Sequence, residues 1–220
     1  MKTTLPLILG LSCALTAPLH AEELAPPNVD FYGEFQVNRN DLGNLGVDQA
    51  DGLSVRAGMW LNDLGGPWGS RFGLEAGLIR LGEDNADSSY TRSPTASEAG
   101  VNGADVVQIN DRLNVKVNGL GFGGIWDSGH WLYLRGGAYL YDYKATERSQ
   151  RVLIDNGGNP SVTYNDTPAS DDTNTLAPYL GAGFAVRLTG PLVLVADYTS
   201  YRVESEQVGS VSLGLRYDGK

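Results

Sequence analysis

The feature that most limits what this chain can fold into is a two-residue alternation of apolar and polar side chains, repeated between residues 28 and 217. Successive side chains on a strand point to opposite faces, so such alternation marks strands; a helix would repeat its apolar positions every three to four residues. Phe31, Gly33, Phe35 and Val37 alternate with Tyr32, Glu34, Gln36 and Asn38. Leu53, Val55, Ala57, Met59 and Leu61 alternate with Ser54, Arg56, Gly58, Trp60 and Asn62. The same pattern sets Phe72, Leu74, Ala76 and Leu78 against Arg71, Gly73, Glu75 and Gly77. It sets Leu180, Ala182, Phe184 and Val186 against Tyr179, Gly181, Gly183 and Arg187, and Val211, Leu213, Leu215 and Tyr217 against Ser212, Gly214 and Arg216. Segments 112–126, 131–144 and 192–203 alternate less cleanly. The phase of the first of these blurs through residues 119–124, where a bulge is expected, and in the last Asp197 and Thr199 define the polar face. No long stretch has a helical period.

The eight segments predict an all-β fold, an eight-stranded antiparallel up-and-down transmembrane barrel. Connections 62–69, 127–130 and 188–191 are short, and those at 39–51, 82–111 and 145–174 are long, polar loops; 204–207 is brief. Short turns at one end and long loops at the other are the pattern of outer-membrane barrels. No apolar run reaches the roughly 18 residues of a spanning helix. A spanning strand needs only about 9–11 residues, so eight fit easily. Closing the sheet pairs every backbone group, which hydrocarbon demands.

Residues 1–21 read as a Sec signal peptide: Lys2 at the start, an apolar core over residues 5–15, and a small residue, Ala21, at the cut. A lipoprotein signal at Cys13 is the rival reading. Residues 22–220 then form one barrel domain, without Cys and with His130 as its only histidine.

Composition bears on which face is inside. Gly supplies 29 of the 220 residues, nearly double its usual share of roughly 7%. The polar face mixes small residues with Arg56, Arg71, Lys116, Arg135, Arg187 and Arg216, and with Glu34, Glu75 and Asp197. Small residues beside the planar, multidentate guanidinium suit a narrow lumen that its own side chains fill. The expectation is an interior ion-pair network of these nine residues, with the surplus of bases met by water or loop carboxylates. The apolar face then looks at lipid. Trp60, Trp68, Trp126, Trp131 and Tyr217 lie in or near the short-turn end and are expected to form an interfacial aromatic girdle.

The net charge of −10 argues against nucleic acid as a partner. Zinc needs His or Cys, and one His is too few. Asp84 with Asp87, Asp171 with Asp172, and the turn 155–159 lack the spacing of a complete calcium loop and read as solvated acids. The glycines of 119–124 open no helix and precede no Lys-Ser/Thr, so they signal strand packing and not a phosphate loop. His130, two residues from Ser128 in a short turn, has no third partner for catalysis. No cofactor, metal or enzymatic activity is expected.

Three stretches carry a family resemblance. Residues 132–143 (LYLRGGAYLYDY) resemble the Gly- and Tyr-rich fifth strand of the eight-stranded outer-membrane β-barrel proteins, the class of the OmpA transmembrane domain and OmpX. Residues 194–201 (LVADYTSY) resemble their acidic–aromatic seventh strand, and 211–217 (VSLGLRY) their last-strand assembly signal, here followed by Asp218-Gly219-Lys220. The likeness spans residues 28–217. It implies a monomer in the Gram-negative outer membrane, contacting membrane lipids and lipopolysaccharide, and recognised by the barrel assembly machinery through the last strand. It implies a structural or surface-interaction role, with host or phage surface ligands for the loops. A narrow or gated channel is the alternative, and a lipid-A-modifying enzyme a more distant one.

Overall fold

The computed structural model describes residues 28–66, 69–100 and 103–219. The leader expected over residues 1–21 and Trp68 lie outside them.

Nine strands form: β1 (Val29–Asp41), β2 (Gln49–Leu61), β3 (Arg71–Arg92), β4 (Ala104–Asp127), β5 (Leu132–Asp155), β6 (Pro160–Asn165), β7 (Ala169–Thr189), β8 (Leu192–Val203) and β9 (Glu206–Asp218). Eight make a closed antiparallel ring in the order β1-β2-β3-β4-β5-β7-β8-β9, and β9 pairs back onto β1 from Tyr32↔Asp218 to Asp41↔Gly209. The barrel wall is therefore the eight-stranded up-and-down sheet that the alternation predicts. The ninth strand, β6, adds to the far end of β5 outside the ring.

The apolar phase faces outward. Phe31, Phe35, Leu74, Leu78, Leu120, Phe122, Leu180, Phe184, Leu213 and Leu215 are all exposed around the wall. Their strand neighbours Glu34, Gln36, Glu75, Arg135, Asp197 and Arg216 are buried. This is the reverse of a water-soluble sheet, and it makes the cylinder a membrane-spanning one.

Inside, small residues face large ones. Gly119, Gly121 and Gly123 continue the inward phase of β4 without a bulge, and side chains there would strike Tyr139, Ile79 and Tyr179. The register shift nearest that stretch lies instead in β3, where Arg80 pairs with Asn118 but Gly82 with Val117, leaving Leu81 as the extra residue.

The largest departure from the sequence reading concerns the long loops. Segments 82–111 and 145–174 are mostly strand: β3 and β4 stay paired out to Arg92↔Val107, and β4 and β5 out to Ala104↔Asp155. β4 and β5 have 24 residues each, more than twice the roughly 9–11 that cross a bilayer. Their outer halves, with 82–92 of β3 and with β6, form a four-stranded blade projecting past the belt. Here the faces invert. Beyond the bilayer the outward side chains are polar and the inward ones apolar, as in any sheet in water. Lys116 is therefore not in the lumen: it lies on the outward face above the belt, paired with Glu83 at 3.6 Å, while Val115 and Val117 point in.

Candidate functional site

The lumen holds a charged layer at mid-barrel. β1 supplies Glu34, whose buried carboxylate is approached by Arg135 from β5 at 2.7 Å, Arg216 from β9 at 3.0 Å and Arg56 from β2 at 3.4 Å. Arg135 also lies 3.8 Å from Glu75 and 4.0 Å from Asp197. Three acids thus meet three guanidiniums, and neutral donors complete the acids. Tyr32 and Tyr179 donate to Glu75 at 3.0 and 3.3 Å; Tyr133 and Gln36 donate to Asp197, both at 2.6 Å. Arg56 donates to the Ser54 and Tyr201 hydroxyls, each at 3.0 Å. Gly58 makes the layer sterically possible, since a Cβ there would lie within 2.5 Å of the Tyr32 ring.

Arg71 and Arg187 belong to a second layer at the short-turn mouth. Arg71 pairs with Asp127 at 3.1 Å and Asp218 at 3.3 Å, and Arg187 pairs with Asp218 at 3.5 Å. Arg216 links the layers, 3.7 Å from Asp127. The apparent excess of bases thus disappears: Lys116 is outside, and Asp127 and Asp218 were missed. Both acids continue the inward phase of their strands two residues past Ile125 and Arg216, so extending the alternation by one step would have found them.

Of the aromatic residues assigned to a girdle, Trp60 is not at the lipid interface. It is fully buried in the lumen, tilted against Tyr32 at 4.9 Å, with the Arg71 guanidinium 4.1 Å above its ring. Its position on the inward phase of β2, beside Arg56 and Gly58, decides this. Trp131 and Tyr217 face outward and are exposed, with Trp131 stacked on Phe184 at 5.2 Å. Trp126 shares the outward phase of β4 with Phe122 and is half-buried beside Phe72.

At the opposite mouth the lumen is capped by an apolar cluster that the sequence reading did not find. The β1–β2 loop folds inward through a short 3-10 turn, Gly43–Leu45, placing Leu42, Leu45 and Val47 against Leu81, Val117, Tyr141 and Val203. Tyr141 also holds the β8–β9 turn. Glu204 and Ser205 both have positive φ, the two-residue hairpin geometry, and the Glu204 amide donates to the Tyr141 hydroxyl at 2.9 Å.

The blade presents a polar outer face. Arg112 grips Asp87 at 2.6 and 3.2 Å, Asn114 donates to Asn85 at 2.8 Å, Ser89 donates to Asn110 at 2.8 Å, and Gln150 donates to Asn165 at 3.0 Å. Val107, Ile109 and Leu153 pack on the other side. At the tip, Thr95 and Glu98 form a capping box on the short helix Ala96–Gly100. Arg92 clamps Glu98 with two bonds of 2.8 Å. The Arg92 bonds, and then the Thr95 amide, hold the Glu98 carboxyl down at about 2.

Three of the acids considered as cation ligands are otherwise engaged. Asp87 holds Arg112, Asp172 holds Lys144 at 3.5 Å, and Asp155 accepts from the Gly157 and Asn159 amides of its own turn. No cluster of three metal-ligating side chains occurs among the described residues. Ser128 Oγ accepts from the backbone amides of His130 and Leu132, so it organises the turn.

No protein-family model matches the sequence, and no curated protein matches it. Solved structures similar in fold include Ail, the attachment invasion locus protein of Yersinia pestis, at 13% identity over 88% of this chain and 99% of that one, with a TM-score of 0.40. CarO of Acinetobacter baumannii is similar at 12% over 84% and 96%, with a TM-score of 0.40, and Neisserial surface protein A at 13% over 86% and 96%, with a TM-score of 0.33. The architecture itself rests on the strand pairing. A closed ring of eight strands, an apolar belt turned to lipid and an interior of paired charges make this chain an eight-stranded β-barrel of the outer-membrane type.

Proposed function

We propose that the protein is a monomeric surface-display barrel of the Gram-negative outer membrane. Its leader, residues 1–21, is removed on export, and its last strand is read by the barrel assembly machinery. The wall anchors the blade at the cell surface, where it contacts host molecules, phage or neighbouring lipopolysaccharide. Trp126, Trp131 and Tyr217 sit at the inner interface, and the nonconducting lumen serves as structural support. The observation that carries this reading is the blade: residues 82–92, 104–117 and 144–155 with β6, a continuously paired sheet beyond the lipid-facing belt. Two further features support display over conduction. The charged layer crosses the lumen at mid-barrel, and the Leu42–Leu45–Val47 cap closes its outer mouth.

The test replaces residues 84–115 with Asn-Gly, a two-residue turn that rejoins Glu83 to Lys116. The shortened barrel is expected to fold, to keep its faster gel migration when unboiled, and to lose adhesion of expressing cells to host matrix and phage. Adhesion and phage adsorption equal to the full-length protein would overturn the reading.

A further inference from the structure

The lipid-facing belt is uneven between β7 and β9. On β7 the outward residues Leu176, Pro178 and Leu180 are apolar well toward the long-hairpin end, with Leu176 and Leu180 57% and 70% exposed. On β8 and β9 the belt stops earlier, at Tyr198 and Val211. The next outward rows are polar: Ser200 opposite Gly209, then Arg202 opposite Gln207. Ser200 pairs across β7 with Leu180, so this polar notch stands directly beside an apolar wall.

The notch is concave, a groove of about 970 Å³. Gly209 contributes no side chain, and the Tyr198 phenol lies across it: a Cβ there would be 2.7 Å from the hydroxyl. Below, Leu134, Leu180 and Ala182 line an apolar floor. Above, Gln207 donates to Ser200 at 3.0 Å. Arg202 crowns the groove. The other outward bases near this level are engaged: Lys116 with Glu83, Lys144 with Asp142 and Asp172, and Arg39 with the Gln49 amide oxygen. Arg202 has no carboxylate partner among the described residues, although Glu206 borders the same groove. A guanidinium left unpaired beside hydrocarbon is costly, and an anionic headgroup is the partner the membrane offers.

We propose that this groove is a seat for one phosphorylated glycolipid of the outer leaflet, the lipid A moiety of lipopolysaccharide. Its phosphate meets Arg202, the Ser200–Gln207 pair and the Tyr198 hydroxyl complete the headgroup site, and one acyl chain runs down over Leu180 and Ala182. Charge complementarity selects a phosphorylated amphiphile, since a single unpaired cation stands at the top of an apolar channel, and the position of the groove at the long-hairpin end selects the outer-leaflet glycolipid over a phospholipid. The proposal rests on the membrane orientation given above, with the long-hairpin end outermost.

Native mass spectrometry of the detergent-solubilised, folded protein tests it, with diphosphoryl lipid A, its dephosphorylated form and phosphatidylglycerol as probes. The wild type is expected to retain diphosphoryl lipid A best. Arg202→Gln is expected to lower that retention about tenfold, the worth of one charge-assisted contact. Arg80→Gln, whose target already faces Glu83 at 3.9 Å, is expected to leave it unchanged. Ala182→Leu, which fills the floor without altering charge, is expected to lower retention of all three probes. Equal retention of diphosphoryl and dephosphorylated lipid A, stronger retention of phosphatidylglycerol, dimers in place of lipid adducts, or an unaffected Arg202→Gln protein would each overturn the proposal. Gel migration before and after boiling reports the barrel separately, so failure of the seat is distinguishable from failure of the fold.

Discussion

Substituting Glu34 by Gln removes the charge that three guanidiniums share, and the structure says how much should be lost. Arg135 keeps Glu75 at 3.8 Å and Asp197 at 4.0 Å, and Arg216 keeps Asp127 at 3.7 Å. Arg56 keeps only neutral partners, Ser54, Gln36 and Tyr201. The substitution therefore strands one buried cation outright and weakens two others. Stranding one partner of a buried pair costs about 3–5 kcal/mol, and the retained acids keep the total near that range. A loss of about 4 kcal/mol is roughly a thousandfold in the unfolding equilibrium. Urea unfolding in micelles, read by tryptophan fluorescence and by the heat-modified gel band, measures it. Adding Arg56→Gln removes the stranded charge and should recover about 1–3 kcal/mol, a coupling of the size seen between residues in one network. A Glu34→Gln protein within about 1 kcal/mol of wild type, or a double variant whose loss is the sum of the two single losses, would refute the reasoning.

Three other outcomes follow from the same geometry. Lys116→Ala, on the solvated outer face, should change stability by no more than about 0.5 kcal/mol, whereas Arg135→Ala should lose about 3–5 kcal/mol in the same urea titration. In planar bilayers the wild type should give no steady steps; Arg135→Ala with Glu75→Ala should open the charged layer, but conductance should appear only when residues 42–47 are also shortened to remove the apolar cap. At the blade tip, Glu98 is held at about 2 against the usual 4.5. Its depressed value means that its contribution is complete above about pH 4.5 and lost as pH falls toward 2, so the protection of the Thr95 amide, taken as its exchange rate relative to the intrinsic rate at each pH, should be high at pH 5 and fall through that window.

The sequence is most legible where one physical setting spans a whole segment. In β1, β2 and β9, and in the membrane-spanning parts of β3, β5 and β7, lipid lies on one side and a packed lumen on the other, so parity alone puts Glu34, Arg56, Glu75, Arg135 and Arg216 on the inner face. It becomes illegible where one strand crosses from bilayer to water. In β4, Leu120 and Phe122 face lipid but Val115 and Val117 face inward, because the inner side is the dry one above the membrane. A reading that equates apolar with outward therefore misplaces Lys116. The same crossing hides the blade. Its outer face is Asp, Asn, Ser and Arg, which looks like loop composition, and the order comes from cross-strand pairs such as Asp87–Arg112 that a single segment does not reveal. Trp60 is the opposite case: parity puts it on the inner face with Arg56 and Gly58, while residue type and proximity to a turn point to the interface. The capping box of Thr95 and Glu98 is legible in the sequence as T-x-x-E. The inward fold of Leu42 and Leu45 depends on tertiary contacts with β3, β4, β5 and β8 and leaves no local trace.

Apolar side chains of the wall look out at lipid while paired charges fill the axis. Spin labels at Leu213→Cys and Phe184→Cys, in the barrel reconstituted in bilayers, test this arrangement most directly through their collision rates with oxygen, which concentrates in acyl chains, and with a water-soluble nickel chelate. Both sites are more than half exposed on the wall, so both labels should relax strongly with oxygen and weakly with nickel. Labels shielded from both reagents, as in a soluble core, or open to nickel, as on a solvated sheet, would contradict it.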